Sequence, residues 1–254
     1  VGLVTSALWS DVDGDGWSDL LVTTEWGQVH YFHNNAGTGF EDRSESAGFA
    51  AAGTGWWTAL ASADFNGDGR PDYAVGNAGL NTPYAASPTE PALLYYGDFG
   101  GSGAPALVEA EWDQGKLYPR RTRKSLGEAI PPVLKRFPKN DVFAKATLGE
   151  VLGEARLSAA RRFAATELRS GVFLSQPDGT YRFTPLPRLA QLSIVQGLVA
   201  SDFDGDGLAD LYAVQNSHAP QPEISRFDGG LSQLLRGNGR GEFTVVEPAD
   251  SGLI

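Results

Sequence analysis

The chain contains no cysteine. Disulfides and thiol nucleophiles are therefore excluded, and the redox compartment cannot be read from cysteine usage. It lacks any apolar run of about eighteen residues, so no segment reads as a membrane-spanning helix. No Gly-x-Ser-x-Gly elbow is present. Histidine is scarce: His30, His33 and His218 are the three copies. His30 and His33 lie three apart on a strand-like stretch and so face opposite sides. They read as ordinary surface or half-buried residues. Positive charge is also short, with 20 Lys and Arg against 31 Asp and Glu, a net charge of −11. Nucleic acid is not an expected partner for such a chain. The chain starts at Val1 without Met or a leader-like segment, which reads as a mature or excised piece of something longer.

The negative charge is concentrated. Three stretches repeat one nine-residue pattern, Asp-x-Asp/Asn-x-Asp-Gly-x-x-Asp: Asp11–Asp19, Asp64–Asp72 and Asp202–Asp210. Each gathers carboxylates into a loop too short to keep them apart, an arrangement suited to a hard divalent cation, and calcium fits it best. The expected ligands of the first loop are Asp11, Asp13, Asp15, Asp19 and the Trp17 carbonyl. Those of the second are Asp64, Asn66, Asp68, Asp72 and the Arg70 carbonyl. Those of the last are Asp202, Asp204, Asp206, Asp210 and the Leu208 carbonyl. Gly16, Gly69 and Gly207 hold the sixth position, where the chain must turn sharply. About three Ca2+ ions are thus expected. A fourth loop, Asp98–Ala106, keeps the rhythm with one carboxylate, and is expected to be empty or very weak.

An EF-hand is excluded on two grounds. It needs a bidentate Glu at position twelve and helices on both sides. Position twelve here is Val22, Val75 or Ala213, and the flanks are short apolar runs bounded by turn residues, which read as strands. The first unit reads as strands at Ala7–Trp9, Leu20–Thr24, Gln28–His33 and Phe40–Asp42. The last reads as Gly197–Ala200, Leu211–Val214, Ser232–Leu235 and Phe243–Val246, with Gly237–Gly241 as a hairpin turn. A second unit starts at Thr58–Ser62 and continues through Tyr73–Gly76. A third surrounds the Asp98 loop, at Leu93–Tyr96, Pro105–Glu111 and Leu117–Pro119. Four antiparallel strands per repeat predict an all-β fold, a β-propeller of four-stranded blades. About four blades are visible. They form either a small closed ring or, as favoured here, an incomplete arc whose missing blades come from the parent chain or another subunit.

Between Lys116 and Gly171 the pattern becomes helical. Ser125–Glu128 has capping-box spacing. From about Asp141 to Leu168 a helix is expected, with Phe143, Leu148, Val151, Leu152, Ala155, Ala159 and Phe163 as its buried stripe. The predicted division is therefore blades over 1–115, a basic helical insertion over 116–171, and blades again over 172–254. The insertion holds thirteen basic residues against five acidic ones. It either packs over the acidic remainder or forms a docking face for an anionic partner or glycan. Trp56 and Trp57 are adjacent aromatics, suited to core packing or, if one is exposed, to stacking on a sugar.

The acidic loops set between strands resemble FG-GAP repeats, also called VCBS repeats, the blades of integrin α-subunit-like propellers. Gly79–Pro88, Leu94–Phe99, Phe137-Pro138 and Phe143–Leu148 are similar to bacterial VCBS-repeat proteins akin to cartilage acidic protein, in which a helical segment also interrupts the blades. The resemblance implies a seven-bladed parent propeller, calcium in the strand-connecting loops, an extracellular, periplasmic or cell-surface location, and a loose association with adhesion or assembly. The sequence departs from that family at Gly100, where more carboxylates are usual. The function expected is a calcium-stabilised extracellular module that binds protein or glycan at a propeller face or at the basic insertion. The alternative is a propeller-type carbohydrate-active enzyme, a polysaccharide lyase or hydrolase. It would need a cleft with convergent carboxylates that calcium does not claim.

Overall fold

The computed structural model describes residues 2–218 and 226–252. In chain order it contains β1 (Leu3–Ser10), β2 (Asp19–Gly27), β3 (His30–Asn34), β4 (Phe40–Asp42), β5 (Gly55–Trp56), β6 (Leu60–Ala63) and β7 (Asp72–Val75). There follow β8 (Ala92–Gly97), β9 (Ala106–Asp113), β10 (Lys116–Pro119), α1 (Arg123–Ala129), α2 (Pro132–Arg136), α3 (Asn140–Phe143), α4 (Leu148–Leu152), α5 (Glu154–Ala159) and β11 (Arg161–Ala165). The chain continues with β12 (Gly171–Ser175), β13 (Tyr181–Pro185), β14 (Val195–Ser201), β15 (Asp210–Gln215), β16 (Gln233–Gly237), β17 (Phe243–Val245) and α6 (Pro248–Ser251). The fold is mostly β, and every strand pairing is antiparallel.

Two compact units are present: Val1–Pro83 with Glu167–Ile254, and Tyr84–Thr166. The first contains three sheets. One runs β1-β2-β3-β4 with β5 added at β2, one runs β6-β7-β12-β13, and one runs β14-β15-β16-β17. The middle sheet is therefore assembled from two distant parts of the chain: Gly171 pairs with Val75 and Phe173 with Tyr73. The sequence division at 115/116 and 171/172 does not follow this organisation. Strands β8–β10 fall with the helices, and β12 and β13 complete the second repeat.

The middle sheet is covered on both faces. Tyr73, Val75 and Phe173 pack with Leu21, Tyr31, Phe49 and Trp57 on one side. Ala61, Ala74, Val172 and Leu174 pack with Leu211, Ala213 and Leu235 on the other. This explains why β7 and β12 read as continuous apolar runs and are buried at every position, rather than alternating. The outer sheets each keep an apolar face to solvent. Trp9 is 61% exposed and Phe40 51% on the first sheet, and Val199 is 52% exposed on the last. Trp56 and Trp57 are both buried, so the pair serves the core and offers no exposed ring for a sugar.

The second unit has sheet order β10-β9-β8-β11, so its last strand returns to the side of β8 instead of continuing outward from β10. Its core joins Leu93, Tyr95 and Val108 from the sheet and Phe99 from the Asp98 loop to Leu126, Val133, Phe143, Leu148, Val151 and Leu152 from the helices and Ile130 at the end of α1. The expected long helix over 141–168 is broken. It becomes α3, α4 and α5, and Arg161–Ala165 is a strand. Gly153 ends α4 at φ +89° and ψ +125°, a backbone conformation that glycine adopts readily and that a helix cannot continue through. Ala155 and Ala159 are consequently exposed, while Phe163 stands in β11 opposite Leu94. The first helix is capped by Thr122, whose side chain accepts from Ser125 N–H, so Ser125 is not the cap. The reciprocal capping box lies instead at Thr147 and Glu150.

Candidate metal centre

The nine-residue loops connect first and second strands: Asp11–Asp19 joins β1 to β2, Asp64–Asp72 joins β6 to β7, and Asp202–Asp210 joins β14 to β15. Their backbones are alike because the first Asp organises each one. Asp11 accepts from Gly14 N–H and Gly16 N–H, both at 2.9 Å. Asp64 accepts from Gly67 (2.7 Å) and Gly69 (2.8 Å), and Asp202 from Gly205 (2.7 Å) and Gly207 (2.9 Å). The fifth residue adds a bond to the seventh: Asp15 accepts from Trp17 N–H at 2.8 Å, Asp68 from Arg70 at 2.9 Å and Asp206 from Leu208 at 2.8 Å. The fourth and sixth positions are glycines at positive φ in each loop, between +76° and +88° in the first.

The ninth residue does different work. Asp19, Asp72 and Asp210 are buried at 0%, 0% and 1% exposure. Each ties its own loop to the third strand. Asp19 accepts from Val12 N–H at 3.0 Å and from Asn34 N–H at 2.7 Å. Asp72 accepts from Phe65 (2.8 Å), Asn66 (3.1 Å) and Ser175 (2.7 Å). Asp210 accepts from Phe203 (3.0 Å) and Gly237 (2.9 Å). Burial pushes the Asp72 carboxyl up from its ordinary value, against the pull of these N–H groups. Tyr31 donates to Asp19 Oδ2 at 3.2 Å, and burial, then the Asp19 and Asp13 charges, hold its hydroxyl well above the usual tyrosine range.

Carboxylate oxygens of Asp11, Asp13 and Asp19 converge, as do those of Asp202, Asp204 and Asp206, each trio lying within 4.8 Å. These oxygen-only sets fit a hard cation. Among the described residues the second loop has no such trio. Its third position is Asn66, whose amide donates to Ser175 Oγ at 3.2 Å, and the Asp68 carboxylate meets the Arg70 guanidinium at 2.9 Å. Trp17 is 46% exposed, and its ring lies against the turn at Gly37.

His33 belongs to the first site and was not anticipated. It is 7% exposed, and its Nδ1 lies 3.1 Å from Asp13 Oδ2 and 3.3 Å from Asp19 Oδ1. It also forms a trio with Asp13 and Asp15. His30 turns to Asp42 instead, at 3.5 Å. The available sequence signal was the position of His33 beside Asn34, on the strand that reaches the ninth Asp.

The Asp98 loop, between β8 and β9, has the same backbone with different side chains. Asp98 accepts from Gly101 and Gly103 N–H, both at 2.7 Å. Gly100, Ser102 and Ala106 supply no carboxylate. Ala106 leaves position nine without the carboxylate that brackets the other loops; β10 pairs with β9 from Asp113 to Ala110, and Arg120 N–H donates to the Glu109 carbonyl at 3.0 Å. Phe99 N–H turns to the Gly97 carbonyl at 3.2 Å.

Acidic turns joining the first two strands of successive four-stranded antiparallel sheets define a class of β repeat protein. Residues 11–75 match the family model of the FG-GAP-like repeat, a span holding both the Asp11 and the Asp64 loops. The chain therefore carries an FG-GAP-like repeat. Among the described residues no helix is long and apolar enough to cross a membrane.

Proposed function

We propose that the chain is a calcium-stabilised propeller module used outside the cytoplasm for recognition of protein or glycan. The observation that carries this is the convergence of Asp11, Asp13 and Asp19, and of Asp202, Asp204 and Asp206, on loops whose backbones are already held by their own first and ninth Asp residues. The cation would meet preorganised oxygens, and Asp64, Asn66 and Asp68 would offer a sparser set in the second loop. Calcium sites of this type fill at high free calcium, which supports an extracellular setting. Within the first unit, sheets that bury their faces against one another support a blade-like packing.

The test is metal content together with thermal unfolding. Calcium at about 100 times Kd stabilises by roughly 2.7 kcal/mol per site. Dialysed protein is expected to bind two to three equivalents of Ca2+ and to melt lower in EGTA. No bound metal and an unchanged melting temperature would end the proposal. Binding without turnover on a glycan array would support recognition over catalysis.

A further inference from the structure

The Tyr84–Thr166 unit contains a cavity of about 600 Å3, lined by Phe99, Ile130, Val133, Val151 and Leu152 beneath a rim that includes Lys135, Arg136 and Arg156. That volume lies within the range of small-ligand sites. The five apolar lining residues just named are each 4% exposed or less. Prolines 131 and 132 complete the apolar wall, and no lining residue is acidic. The neighbouring acids have hydrogen-bond or packing partners of their own: Glu150 caps Thr147 N–H at 2.7 Å while still feeling the Arg136 charge, and the Glu154 carboxylate lies over Gly149. The ion pairs of this unit, Arg120 with Glu111 and Arg121 with Glu109, use other cations. Among the described residues none of the three rim cations takes part in an ion pair. Arg156 is also held in place, since its Nη1 donates to the Phe99 carbonyl at 2.8 Å.

The position of this cavity adds a second argument. Phe99 is the second residue of the Asp98 loop, and Arg156 Nη2 lies 3.1 Å from where a Cβ on Gly101 would sit. The other three loops surround themselves with carboxylates. This one has lost them at positions three, five and nine and is accompanied by guanidinium and ammonium groups. Its local charge is inverted, and so is the sign of the ligand it would attract.

We infer that this cavity binds a small organic acid, its carboxylate held by Lys135, Arg136 and Arg156 and its apolar chain lying along the exposed Pro131 and Pro132, over a floor whose packed side chains are Phe99, Ile130, Val133, Val151 and Leu152. Charge-assisted hydrogen bonds fix the head, and apolar burial supplies the remaining affinity. The inference does not rest on the calcium reading, because none of these residues belongs to an acidic trio.

The test uses octanoate and neutral 1-octanol as probes on the full chain, followed by calorimetry. Octanoate is expected to bind saturably with one equivalent, about tenfold more tightly than 1-octanol. The exposed double substitution Lys135→Ala/Arg136→Ala is expected to weaken it by about tenfold or more while leaving the melting temperature unchanged. Lys139→Ala/Lys145→Ala removes the same charge away from the cavity and is expected to change nothing. The inference is overturned by absence of saturation up to about 10 mM octanoate, by equal binding of 1-octanol, or by equal effects of the two double variants.

Discussion

The ninth Asp of each acidic loop holds the backbone together through hydrogen bonds that involve no metal, and Asp72→Ala tests that role. Asp72 has no exposed surface and accepts from three backbone N–H groups, Phe65, Asn66 and Ser175, at 2.8, 3.1 and 2.7 Å. Alanine leaves all three without that acceptor. An orphaned buried N–H costs about 1–3 kcal/mol. The gross loss is partly offset, because burial already penalises the carboxylate and drives its pKa upward. Asn66 is also only partly buried and can recruit water. The net cost expected is about 3–4 kcal/mol. It should appear in urea unfolding at neutral pH in EGTA, with faster amide exchange at Phe65 and Ser175. The contrasting variant is Asp204→Asn, at the partly exposed third position of the last loop. It should cost under about 1 kcal/mol in EGTA and remove part of the calcium-dependent stabilisation instead. If Asp72→Ala stays within about 1 kcal/mol of the parent in EGTA, the bracket role is refuted.

Other expectations follow from particular contacts. Phe49 is 0% exposed and meets the rings of Tyr31, Tyr73, Phe173 and Tyr181 at 4.7 to 6.0 Å. Phe49→Ala should therefore cost about 3–5 kcal/mol in chemical denaturation, and a cost under about 1 kcal/mol would contradict the packing. Gly48 has φ +89°, and a Cβ there would lie 2.4 Å from the Tyr181 carbonyl, so Gly48→Ala should lower the melting temperature and a neutral result would count against the close approach. Hydrogen bonds from Gly103 N–H, then from Gly101 and Ser102, hold the Asp98 carboxyl below its ordinary 3.8. A depressed carboxylate stabilises the fold above its ordinary pKa and loses that contribution as pH falls through the lower folded value. The Gly103 amide shift should thus titrate with a midpoint below 3.8, and a midpoint at or above it would contradict the geometry.

Much of the β architecture was written locally. Glycines at fixed offsets, carboxylates at odd positions and apolar flanks placed each loop between strands, and Phe40–Asp42 is a strand with the bounds expected. What was hidden depends on contacts distant in sequence. Nothing near Val172 announces that it pairs with Ala74 across the whole intervening unit. Periodicity over 141–168 favoured one helix because α4 and α5 share the pattern, and only the positive φ at Gly153 separates them. Strand alternation gives His33 a side but not a neighbour. Its meaning came from the loop that folds beside it. Ser125 and Glu128 have capping-box spacing, but Thr122 caps the helix by a single bond from Ser125 N–H with no Glu or Gln at the third position, which the spacing rule does not detect.

The acidic loops share a further regularity that bears on how a cation would be held. The third residue differs between the loops together with the side chains that face it. Asp13 meets His33 at 3.1 Å and Arg43 at 3.6 Å, and Asp204 meets Arg236 at 2.6 Å. The second loop carries neutral Asn66 there and faces neutral Ser175. In the absence of a metal, Arg43 and Arg236 therefore supply part of the charge that calcium would supply. A cation entering the first or last loop must displace or share those partners, whereas the second loop asks for no such exchange but offers one fewer carboxylate. Arg236 is 56% exposed, so its pairing is screened and weak, and the last loop yields its third carboxylate at little cost. His33 is nearly buried and touches both Asp13 and Asp19, so the first loop gives up more. With its open trio and its screened arginine, the last loop is expected to bind calcium most tightly of the three, an order that calorimetric titration of variants lacking one loop's third carboxylate checks, whereas carboxylate count alone ranks the first and last loops equal.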